Sequence, residues 1–82
     1  MRIIAELPHP EFKISIFNMN QKYIVKIEKG VFEQSYKISE MDITDGVNSL
    51  FELLDEEFLK TVSARFAEMG KDFKATYYRY NY

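Results

Sequence analysis

Along residues 2–38 apolar and polar residues alternate at period two, and from Val47 onward the apolar ones recur at three and four. Alternation sends successive side chains to opposite faces of a strand, whereas a three-and-four recurrence draws a stripe down one side of a helix. The first half therefore predicts strands and the second half helix. Strands are expected over 2–7, 12–18, 22–28 and 31–38, with connections short enough for hairpins. The fold class that follows is α+β: a four-stranded antiparallel β-meander in the order 1-2-3-4 with a C-terminal helical segment packed on one face.

Turn chemistry narrows the registers. Lys29-Gly30 supplies a glycine where positive φ is cheap, and a turn there pairs Glu28 with Val31, Ile27 with Phe32, Lys26 with Glu33 and Tyr23 with Tyr36. A loop over 8–11 pairs Leu7 with Phe12, Glu6 with Lys13 and Ala5 with Ile14, and keeps Pro8 and Pro10 out of the ladder. In the middle hairpin, a turn at Asn20-Gln21 sets Phe17 against Ile24 and Lys13 against Glu28, whereas a turn at Met19-Asn20 opposes Lys13 to Lys26. The like-charge pair disfavours the second register. One face of the sheet then carries Ile3, Ala5, Leu7, Phe12, Ile14, Ile16, Tyr23, Val25, Ile27, Phe32, Tyr36 and Ile38, and it needs a cover.

The cover is the segment 39–76. After a connector over 39–43, Asp42, Thr44 and Asp45 are candidate caps for a short helix containing Val47, Leu50, Phe51 and Leu54. Asp55-Glu56-Glu57 is an acidic first turn suited to a longer helix, so the segment is either one bent helix or a short plus a long one. The stripe Phe58, Val62, Phe66, Met69, Phe73 keeps helical spacing through Gly70, and predicts helix from Asp55 to about Thr76, with 77–82 an aromatic tail. A rival reading stops the helix at Gly70 and makes 73–82 a fifth strand, because Thr76, Tyr77, Tyr78 and Tyr80 are good strand formers. Lengths favour an overhang: a seven-residue strand spans about 24 Å and a helix over 55–69 about 22 Å, so the sheet is covered by Gly70. The aromatic residues beyond it should have somewhere to go.

Composition bounds the class. The 82 residues make a single domain over 1–82, and 46% hydrophobic with 29% charged residues is core enough to fold. A net charge of −2, from 11 basic and 13 acidic residues interspersed along the chain, argues against a protein devoted to neutralising phosphate. There is no cysteine, hence no disulfide, thiolate metal site or thiol nucleophile. The start of the chain is too short in apolar residues for a signal peptide or membrane span, which makes a cytoplasmic protein without membrane contact the expectation.

Catalytic and cofactor chemistry finds little footing. His9, the single histidine, sits between prolines in a turn that offers no cleft or orienting carboxylate. Asp45, Gly46 and Glu52 match positions five, six and twelve of a calcium loop, but Met41 and Ile43 would fill positions one and three and cannot coordinate through side chains. Gly30, Gly46 and Gly70 are isolated, so phosphate-binding loops are missing, and no serine stands in a nucleophile elbow. No enzyme, metal or cofactor is expected.

Two surfaces attract a functional reading. The first is the C-terminus, where Phe73, Tyr77, Tyr78, Tyr80 and Tyr82 gather with Lys71, Lys74 and Arg79. Tyrosine-rich patches suit protein contact, so the expected role is a protein-protein interaction module that self-associates as a homodimer or docks through this aromatic end, with the edge strand 31–38 in support. The same residues allow single-stranded nucleic-acid binding, bases stacking on tyrosines and phosphates meeting the cations. The second surface is the outer sheet face, with Ile4, Phe17 and Ile24 as apolar contacts among charges; one Phe17 without a basic surround does not make an RNA-binding face. Gln34, placed inward opposite Val25, marks a spot where a partner could reach in. An apolar ligand held between helix and sheet is a third reading.

Overall fold

The computed structural model describes residues 2–81. Four antiparallel strands, β1 (Arg2–Leu7), β2 (Lys13–Met19), β3 (Lys22–Lys29) and β4 (Phe32–Ser39), form one sheet in the order β1-β2-β3-β4. A 3₁₀ turn over Glu40–Asp42 leads to helix α1 (Gly46–Leu53) and then α2 (Glu56–Asn81). The α+β meander is thus as expected, and the helical segment is a short helix plus a long one. The core joins Ile14, Ile16, Val25 and Ile27 of the central strands to Leu50 of α1, Leu54 of the joint, and Val62 and Phe66 of α2, with Phe12 beside them.

The β2–β3 register is the expected one, with Lys13 opposite Glu28 and Phe17 opposite Ile24. Its turn, Asn20-Gln21, has φ of 52° and 63°, a left-handed conformation in two residues other than glycine. The segment after β4 braces this turn: Glu40 N donates to Gln21 O at 3.0 Å, and Asn18 Nδ2 donates to the Glu40 carboxylate.

The other two hairpins differ from expectation by two residues. In β3–β4, Lys29 pairs with Phe32, which leaves Ile27 opposite Gln34, Val25 opposite Tyr36 and Tyr23 opposite Ile38. Turning at Gly30-Val31 puts only Gly30 at positive φ, 61°, whereas a turn at Lys29-Gly30 of the favoured hairpin type would force lysine there as well. The shift opposes Glu28 to Glu33, and Lys26 Nζ answers by approaching both carboxylates at 3.8 and 3.6 Å. In β1–β2, Leu7 pairs with Ile14 and Ala5 with Ile16. Glu11 N donates to His9 Nδ1 at 3.1 Å and the His9 ring stacks on Phe12 at 4.7 Å, so Phe12 leaves the ladder and packs on Phe66. A bulge at Ile4 follows, after which Ile3 pairs with Phe17. That one-residue slip turns Ile3 from the core face to the outer face, where it is 48% exposed.

Helix starts are set locally. Asp55 Oδ1 accepts from Phe58 N at 2.8 Å and Asp55 O accepts from Leu59 N at 3.0 Å, an N-cap that separates α2 from α1. At α1 the cap is inverted: Asp45 makes no side-chain cap bond, and Asp45 N donates to Ser49 Oγ at 3.0 Å. The helix ends at Asn81, beyond the expected Thr76, so residues 73–81 are helix, not a fifth strand or a separate tail.

Candidate functional site

Helix α2 runs antiparallel to β4. The Phe58 ring meets Tyr36 edge to face at 5.4 Å, Gln34 Nε2 donates to Val62 O at 3.1 Å, and Phe73 meets Phe32 edge to face at 6.1 Å. At Gly70 the Phe32 ring stands 3.8 Å from where a Cβ would be. Phe32 lies at the start of β4, so nothing of the sheet remains beneath the turns that follow. Every described residue after Gly70 is exposed. At about 1.5 Å per residue, 71–81 projects roughly 16 Å past the sheet.

The projection keeps the pattern of a buried face. Val62, Phe66, Met69, Phe73, Tyr77 and Tyr80 recur at three and four, so the side of α2 that enters the core continues as aromatic surface. Exposure is 59% at Phe73, 60% at Tyr77 and 86% at Tyr80. Tyr78 projects from the opposite side of the helix, so it does not join the stripe. Lys74 and Arg79 flank the stripe and Lys71 lies behind it, and Arg79 Nη2 is held by Thr76 Oγ1 at 3.1 Å. Asn81 Nδ2 donates to Tyr77 O at 2.8 Å, a side-chain bond one turn back along the helix. Tyr82 lies outside the described residues.

The remaining expected contacts resolve differently. Gln34 is satisfied within the chain, donating to Val62 O and accepting from Tyr36 Oη at 2.6 Å, and it faces Ile27 instead of Val25. It clamps α2 to β4, which accounts for its inward position without a partner. Ile24 is only 8% exposed, covered on the outer face, and Phe17 beside it is half-buried; the apolar surface left there belongs to Ile3 and Ile4.

At the other end of α2 the structure opens an apolar cleft of about 330 Å³ between β4 and the helices. Val25, Tyr36 and Ile38 line its sheet side, with Lys37 at the edge, and Leu50, Leu53, Leu54 and Phe58 its helix side. Leu53 is 52% exposed in it. The sequence places Val25, Tyr36, Ile38, Leu50, Leu54 and Phe58 toward the core without assigning them to a pocket, and it passes over Leu53; the paired Leu53-Leu54 at a helix joint, where one face cannot bury both, is the available signal. Exposed Glu52, Asp55, Glu56 and Glu57 interleave with the liners along the chain. Among the described residues, no three histidine, aspartate or glutamate side chains gather as a metal site, and no helix is long and apolar enough to cross a membrane. No protein family, curated protein or solved structure was found to match the chain.

Proposed function

We propose that this protein is a non-catalytic interaction module whose working surface is the projecting end of α2. The observation that carries this reading is the continuity of the stripe: Phe73, Tyr77 and Tyr80 extend the side of the helix that Val62 and Phe66 bury, yet Phe73 meets the sheet at its last ring, Phe32, and Tyr77 and Tyr80 lie past it. A helix of this short length is marginal in water by itself, because most helical stability in proteins comes from packing an apolar face. Aromatic side chains on a helix face are also the groups that dominate protein contacts. Both points favour a protein partner that completes the face.

Nucleic-acid binding through the same residues draws less support, since the chain as a whole is acidic, with a net charge of −2. Light scattering across a concentration series tests the reading, comparing the full chain with a chain ending at Gly70. Association by the full chain alone, with unchanged circular dichroism of the sheet, is expected; equal behaviour of the two chains would argue against it. Affinity for single-stranded oligonucleotides that falls steeply with salt would favour the nucleic-acid reading instead.

A further inference from the structure

We infer that the occupant of the apolar cleft is the projecting helix end of a second copy of this chain, exchanged reciprocally about a two-fold axis. This rests on the docking reading above and assigns both the partner and its seat. The stripe and the cleft lie at opposite ends of α2, about 30 Å apart along the helix between Phe58 and Tyr77, so a chain cannot seat its own stripe. A two-fold axis perpendicular to α2 and passing beside its middle, outside the β4 edge, brings the stripe of each copy to the other's cleft. The same axis is compatible with the sheet, because β4 is an edge strand, pairs only with β3 and runs antiparallel to α2. Two copies so related present their β4 edges to each other in antiparallel fashion.

Charge and area both favour this partner. Residues 71–81 carry Lys71, Lys74 and Arg79 against the single acid Asp72, while Glu52, Asp55, Glu56 and Glu57 are exposed around the joint that forms the cleft. Lys37 is the one cation lining the cleft. Taking about 200 Å² for an aromatic side chain, Phe73, Tyr77 and Tyr80 leave roughly 400 Å² exposed per copy. In a reciprocal exchange each partner buries that stripe and also the cleft that receives the other's, which moves the total toward the ~800 Å² per partner of a standard interface, whereas a single junction buries only one of the two on each side.

The test uses two full-length variants in sedimentation equilibrium, separately and mixed. Tyr77→Ser with Tyr80→Ser removes the stripe and keeps the cleft; Leu53→Lys, at a half-exposed position, adds a cation to the cleft and keeps the stripe. The wild type is expected to be a dimer, each variant alone a monomer with association weakened on the order of 100-fold or more. Mixing them restores one junction, and a heterodimer weaker than the wild-type dimer is expected. Raising salt from 0.05 to 0.5 M, roughly a threefold shorter Debye length, should weaken the wild-type dimer.

Three results would overturn the inference. A Leu53→Lys protein that dimerises like the wild type while the tyrosine variant does not would place the stripe against another stripe, leaving the docking reading standing and its seat wrong. No heterodimer on mixing two folded monomeric variants would remove the reciprocal seating in the cleft and leave the docking reading standing. A wild type that stays monomeric at all concentrations would remove the second copy as partner, and amide exchange over 72–81 then judges the docking reading. Protection there equal to that over 58–66 would end that reading as well, since the helix end would need nothing to hold it.

Discussion

At the scale of single residues, stability is decided where backbone and hydrogen-bond demands meet an unexpected side chain. Gln21 occupies the second central position of a tight turn at φ 63°, a conformation that costs a residue with a Cβ about 1–2 kcal/mol relative to glycine. Gln21→Gly should therefore stabilise the fold by about 1 kcal/mol, read as a higher urea midpoint at unchanged slope. The carbonyl that Gln21 offers to Glu40 N belongs to the backbone and survives the change. Gln34 is the opposite case, a polar side chain whose two ends are both used, by Val62 O and by Tyr36 Oη. Gln34→Glu replaces the donor facing the helix carbonyl with a carboxylate oxygen and should cost about 1–3 kcal/mol, measured in the same way.

At the scale of elements, α2 is two helices in function if not in geometry. Its first half is held by burial of Val62 and Phe66, by the Asp55 cap and by the Gln34 clamp. Its second half carries the Phe73–Phe32 contact and short-range bonds such as Arg79 to Thr76, and its described residues are all exposed. Gly70 stands between them, where a glycine lowers helix propensity by about 1 kcal/mol relative to alanine. The space beside it ends at the Phe32 ring at 3.8 Å, ordinary contact distance for a methyl group. Gly70→Ala is expected to raise stability by about 0.5–1 kcal/mol and to slow amide exchange over 71–81, which hydrogen-exchange mass spectrometry would show. A drop in stability would mean that the ring cannot yield to the methyl.

At the scale of the whole molecule, the described residues extend 50 Å by 27 Å by 19 Å, elongated by a helix that outruns its sheet. If each projecting end is buried by a second copy, folding and association are linked and the melting temperature must rise with protein concentration. Differential scanning calorimetry over a hundredfold concentration range is expected to show that rise for the wild type. It should be absent for the Tyr77→Ser, Tyr80→Ser variant, whose melting should match the wild type at high dilution because neither tyrosine belongs to the core.

What the chain alone determined follows from local physics. Periodicity is a property of consecutive residues, so the strands, their order and the helix with its stripe through Gly70 were legible, and β1 was legible to its ends. The central register was legible because a like-charge pair excluded its rival. The flanking registers were not, because each depended on a contact distant in sequence or on a backbone angle. Phe12 was drawn from the ladder by His9 and Phe66, the bulge at Ile4 reversed the face of Ile3, and Gly30 took the first turn position instead of the second. Tyrosines that read equally well as strand or helix became helix through to Asn81, by continuing one already anchored on β4. The candidate site divides in the same way: the aromatic stripe is written in consecutive spacing, whereas the cleft exists only where β4, α1 and α2 converge. Tertiary structure alone decided that Gln34 would be closed off and Leu53 left open, because burial is settled by what arrives from elsewhere in the chain.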